Sequence, residues 1–168
     1  MALSTQAPVE LSRAGVWHAA LAGCCASLIG IGLARFAYTP LIPALASAHW
    51  FTASGAAYLG AANLAGYLAG AIFGHRLTRF FRAATVLRFM MLLTALSLFA
   101  CVLRELGFGW FFFWRFLSGC TGGAIMVLAA PTVLVATPPS RRGIVGGAVF
   151  TGVGLGIAAS GTLDPLFL

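Results

Sequence analysis

Residues 55–73 read GAAYLGAANLAGYLAGAIF, nineteen positions without a charge and with a single side-chain amide, Asn63. As a helix they extend roughly 28 Å at 1.5 Å per residue, close to the ~30 Å of hydrocarbon in a bilayer. Small residues recur at every fourth position, Ala62, Gly66, Gly70 and then Gly74. Such a stripe lets a neighbouring helix come close, which an isolated anchor has no use for. A membrane span belonging to a helical bundle accounts for both the length and the stripe.

The rest of the chain has the same character. Of 168 residues, 61% are hydrophobic and 8% charged, and the mean hydropathy is +0.99. A soluble domain carries about a quarter charged residues, so a water-soluble monomer and a disordered chain are both excluded. The net charge of +7 comes from arginine alone, against Glu10, Glu105 and Asp164. In a soluble protein that balance would suggest nucleic acid. Here most arginines lie between apolar runs, where basic residues set topology instead, and no nucleic-acid partner is expected. Cys24, Cys25, Cys101 and Cys120 fall in apolar stretches without a C-x-x-C pair. They read as small hydrophobes, and neither a metal nor a cofactor is expected.

Five spans follow, over 16–45, 55–73, 83–103, 106–137 and 143–163, flanked by a tail over 1–15 and a short end over 164–168. The first contains Arg35 and is closed by Pro40 and Pro43, the third has Arg88 near its start, and the fourth carries Arg115. The connections are short, and no soluble domain fits between them. With the N-terminus in the cytoplasm, Arg13, Arg76, Arg79, Arg82, Arg141 and Arg142 lie inside and only Arg104 lies in an outer loop. Basic residues concentrate on the cytoplasmic side of membrane proteins, so the expected arrangement is a multi-pass protein of a bacterial inner membrane with its C-terminus outside. Leu21-Ala22-Gly23-Cys24 is similar to a lipoprotein processing box. The apolar run continues past Cys24 to Leu33, however, whereas a cleaved signal ends its apolar core at the cleavage site. An uncleaved first span is expected. The fifth span repeats the small-residue device, with Gly143 and Gly147 and then Gly152, Gly156 and Ser160. Gly66, Gly70, Gly147, Gly152 and Gly156 are therefore expected to serve helix packing.

Between the second and third spans stands Gly74-His75-Arg76-Leu77-Thr78-Arg79-Phe80-Phe81-Arg82. It resembles the G-x-x-x-D-R-x-G-R loop between helices two and three of major facilitator superfamily transporters. Gly74, Arg79 and Arg82 match that pattern, while Thr78 replaces the usual Asp and Phe81 the second Gly. Arg115-Phe116-Leu117-Ser118-Gly119, followed by Gly122-Gly123, resembles the superfamily's R-x-x-x-G pattern of helix four. Pro138-Pro139-Ser140-Arg141-Arg142-Gly143 resembles its inner loop before helix five. Residues 30–43, GIGLARFAYTPLIP, resemble the first helix of the YbfB/YjiJ-type branch.

The resemblance implies an all-α integral membrane protein, secondary active transport of a small solute, and a cytoplasmic gate built on Gly74, Arg79, Arg82, Arg141 and Arg142. It also implies two six-helix bundles, with the substrate site between them. The chain ends at Leu168, just after the fifth span. It is therefore expected to be an N-terminal part, lacking helix six and the second bundle, and inactive alone. Its expected partners are the bilayer, the missing half or a second copy, and the substrate of the whole transporter.

A charge at bilayer depth is costly and marks a candidate site. Arg35 lies roughly 28 Å along the first helix from Val16, and Arg115 about 13 Å into the fourth, so both fall in the outer half. In the superfamily, helices one and four line the cavity, which would bring the two guanidiniums within reach of each other. One reading makes them architectural, bonded to free backbone carbonyls. The other makes them forked donors for an anionic substrate. Tyr38 and Asn63 are further cavity candidates that could equally form interhelical hydrogen bonds. No carboxylate lies within a span, so no proton-coupling group is visible. An intramembrane hydrolase is disfavoured because Ser118 has no base at membrane depth. The alternative to a transporter is an autonomous multi-span protein that assembles with partner chains through its glycine stripes.

Overall fold

The computed structural model describes residues 13–36, 38, 47, 50–103 and 106–167. Most of the expected N-terminal tail, the closure of the first span by Pro40 and Pro43, and the outer-loop pair Arg104 and Glu105 lie outside these residues. Five helices are long and apolar enough to cross a membrane. Helix α1, Arg13–Ser27, continues without a break into a wider, π-type stretch over Leu28–Phe36. Helix α2 covers Ala53–Leu77, α3 covers Ala83–Ala100 and α4 covers Gly107–Val135. A 3₁₀ turn, Pro139–Arg141, leads into α5, Arg142–Phe167.

Local chemistry explains several ends. The Gly55 amide donates to Thr52 Oγ1 at 3.1 Å, satisfying one of the free amides at the start of α2. Gly107 opens α4 at φ +73°, a left-handed conformation that costs glycine little. Residues 74–77, read from the sequence as loop, instead extend α2 by a turn, and Thr78 stops it. The Thr78 hydroxyl donates to the His75 carbonyl at 2.7 Å, so the residue in the usual Asp position is engaged in ending the helix. Residues 164–167, expected as an outer end, continue α5.

Helix α4 is the hub. It touches α1, α2, α3, α5 and the π-type stretch, while α1 packs along α5 and α2 lies against α4. Much of the interior is made of small residues: Ala20, Ala26, Ala34, Ala56, Ala62, Ala124, Ala129 and Ala130 are buried, with Ser27, Thr94, Ser97 and Thr121. Leu59, Phe111, Ile125 and Leu128 are buried among them, but many large side chains point outward, including Leu64, Leu68 and Ile72 on α2 and Phe89, Leu92, Leu96 and Phe99 on α3. In water such a surface would aggregate. In lipid it costs nothing, because hydrocarbon is as apolar as leucine, and close backbone packing becomes the main source of cohesion.

That packing is visible at two seams. On α2, a Cβ added at Gly66 or Gly70 would strike the Phe116 or the Cys120 carbonyl oxygen, and one at Gly74 would come within 2.9 Å of Ala124. In return, a Cβ at Gly119 or Gly123 of α4 would strike the Asn63 or the Tyr67 carbonyl oxygen. Two four-residue rows thus interlock backbone to backbone. The α1–α5 seam is built likewise: a Cβ at Gly152 would strike the Cys24 carbonyl, and Gly32 and Gly156 face each other. Gly143 and Gly147, the first members of the α5 stripe, meet nothing within 4 Å. Their side of α5 is open.

Candidate functional site

Arg115 sits two turns into α4 and is 6% exposed, on a helix whose apolar composition gives a cation no polar surroundings of its own. Its partners come from the first span. One Nη1 proton goes to the Ala34 carbonyl at 3.1 Å. That carbonyl lies in the last turn of the π-type stretch. The guanidinium carbon lies 4.1 Å from the centre of the Tyr38 ring, well inside the ~6 Å range of cation–π attraction.

Two residues tie this contact to α2. The Tyr38 hydroxyl donates to the Ala56 carbonyl at 3.2 Å. The Asn63 amide donates to the Arg115 carbonyl at 3.0 Å. Arg115, Tyr38 and Asn63 therefore form one centre joining the first span, α2 and α4. Arg35 belongs to its edge: its guanidinium lies 4.7 Å from the Tyr67 ring centre and 5.6 Å from that of Phe36. The sequence placed the two arginines within reach of each other. In the structure each goes to its own tyrosine, and the Arg115 fork takes the carbonyl of the residue preceding Arg35.

The centre is not fully satisfied. Among the described residues, Arg115 Nε is buried without a hydrogen-bond partner, and so are Trp114 Nε1 and Ser118 Oγ within the same turn of α4. An unsatisfied buried polar group costs roughly 1–3 kcal/mol, more for a charged one. A neighbouring cluster shows the contrast: Thr121 Oγ1 donates to the Ser118 carbonyl at 2.9 Å and lies 2.7 Å from Thr94 Oγ1. Trp114 and Ser118 were not recognised as part of this centre from the sequence. Their position, one residue before and three after an intramembrane arginine, was the available signal.

At the opposite, arginine-rich end, Gly74 is sealed against α4. Arg79 and Arg82 occupy the α2–α3 turn, with Arg82 at the start of α3 lacking a side-chain cap. Arg142 Nε donates to the Thr137 carbonyl at 3.1 Å, bracing the α4–α5 connection, and Arg141 ends the 3₁₀ turn. Arg79 and Arg82 thus belong to one connection and Arg141 and Arg142 to the other, at the same end of the bundle.

A bundle of apolar spanning helices around a buried cation is the build of a multi-pass membrane protein. A sequence model of the family described as uncharacterised MFS-type transporter YbfB matches residues 27–168, and the chain belongs to that family, the transporters of the major facilitator superfamily. No curated protein and no solved structure matches it.

Proposed function

We propose that the chain handles a small anionic solute during secondary transport, with Arg115 as the residue that meets it. The observation that carries this reading is the buried Nε of Arg115, a charged donor that lies beside a tyrosine face and has no acceptor among the described residues. The bond to Ala34 holds the guanidinium in place and leaves part of its fork for a carboxylate, phosphate or sulfonate oxygen. Arg35, on the neighbouring tyrosine, adds positive potential at the edge of the path. Topology follows the arginines, with the N-terminus and the α2–α3 and α4–α5 connections in the cytoplasm and the C-terminal end of α5 outside. Alternating access rocks one bundle against another around a midplane site. The five described helices form one bundle, which on this reading supplies one side of such a site.

The test is a binding screen on the purified chain in nanodiscs, following thermal stabilisation by small carboxylates, phosphates and sulfonates against neutral and cationic solutes. At least one anion class should stabilise the chain, and Arg115→Met should abolish that effect while keeping the helical circular dichroism. Stabilisation by neutral or cationic solutes only, or anion binding that survives Arg115→Met, would overturn the reading.

A further inference from the structure

Between α1, α3 and α4, at the arginine-rich end, lies a cavity of about 350 Å³, within the ~300–1,000 Å³ of ligand pockets. Its walls are small or aliphatic, with Ala22 and Ala26 from α1, Leu87 and Met91 from α3, and Val133 from α4. Arg88 also lines it. This arginine stands five residues after Ala83, the first residue of α3, and is exposed. It makes no hydrogen bond, ion pair or ring contact among the described residues. A cation in the second turn of a spanning helix is within reach of the headgroup level and is stabilised there by a counter-charge.

Three occupants would fill such a space. A polar solute would find little to bind on alanine and leucine walls. A second copy of this chain offers few carboxylates, because its acids are Glu10, Glu105 and Asp164, and Asp164 stands near the end of α5 remote from this cavity. An anionic phospholipid supplies both needs at once, an acyl chain for the apolar walls and a phosphate for the guanidinium. Arg79 and Arg82, on the turn that leads into α3, raise the positive potential at the same end, and basic pockets between spanning helices hold anionic headgroups in this way. We infer that this cavity binds one anionic phospholipid, its acyl chain along Ala22, Ala26 and Val133 and its phosphate on Arg88. The inference does not depend on Arg115 or on which face of the membrane this end occupies.

The experiment is native mass spectrometry of the purified chain given equal amounts of phosphatidylglycerol and phosphatidylcholine with identical acyl chains. Wild type should retain phosphatidylglycerol about fivefold over phosphatidylcholine, which is what one arginine beside an anionic headgroup supplies. Arg88→Gln should bring the ratio to about one, Arg88→Lys should keep it, and Ala22→Leu, which fills the cavity, should lower retention of both lipids. Circular dichroism matching wild type qualifies each variant. Equal retention of the two lipids by wild type, or a preference that survives Arg88→Gln, overturns the inference. Displacement of the lipid by glycerol phosphate would show a headgroup site without an acyl-chain cavity, and a dimer free of lipid would show a protein occupant; either result also overturns it.

Discussion

Gly119 and Arg115 stand one turn apart on α4 and are packed by opposite rules. Around Gly119 two backbones meet with no room for a methyl group, and the Asn63 carbonyl lies where a side chain would begin. Around Arg115 a guanidinium and a tyrosine ring fill the contact between α4 and the first span, and a charged donor has no partner among the described residues. The seam is closed backbone to backbone, while the arginine centre keeps polar atoms without partners among the described residues. In a membrane, where hydrophobic burial does not drive helices together, the first device holds the bundle, and the second is where we propose that the solute is met.

Substitutions can separate the two. Gly119→Leu should have the largest effect, because backbone atoms block the new side chain and no rotamer relieves the clash. We expect a loss of about 3 kcal/mol or more, at the upper end for overpacking, read as failure to recover a monodisperse protein in mild detergent. Asn63→Leu removes the amide that links α2 to the Arg115 carbonyl, with an expected cost of about 1 kcal/mol, within the range of intramembrane hydrogen bonds. It should lower the unfolding midpoint in denaturant and weaken solute binding through a shifted Arg115. Thr94→Val breaks the Thr94–Thr121 link but leaves Thr121 bonded to Ser118, so about 0.6 kcal/mol is expected by the same measurement. Gly147→Ala faces open space and should change stability by less than about 0.5 kcal/mol. A Gly147→Ala effect as large as that of Gly119→Leu would show that this side of α5 is covered and would erase the distinction between open and closed stripes.

Much of the fold was legible because bilayer length and charge placement are coarse signals. The uncharged run at 55–73 and the arginines between spans needed no tertiary knowledge. The stripe at Gly66 and Gly70 was readable, but its counterpart was not recognised as such, although Gly119 and Gly123 repeat the same four-residue spacing on α4. Spacing alone also could not separate Gly147 from Gly152, since only the neighbour decides which part of a stripe is used. The end of α2 was placed too early because Arg76 was read as a loop residue. Its guanidinium instead lies 5.3 Å from the Phe73 ring centre, one turn back on the same helix. At the candidate site, residue type identified Arg115, Arg35, Tyr38 and Asn63, whereas their pairing depends on where the π-type stretch puts the Ala34 carbonyl, which no sequence pattern encodes.

Arg115→Lys tests the forked-donor role most directly. It keeps the charge but replaces a planar fork by a point charge on a flexible stem. Anion binding to the purified chain in nanodiscs, measured by calorimetry with the anion that stabilises wild type, should weaken at least about tenfold, the worth of a hydrogen bond to a charged group. Arg82→Lys, changed in the same way in the α2–α3 turn, should leave the affinity unaltered. Equal affinities for wild type and Arg115→Lys would contradict the role proposed for Arg115, leaving a charge requirement and no forked recognition.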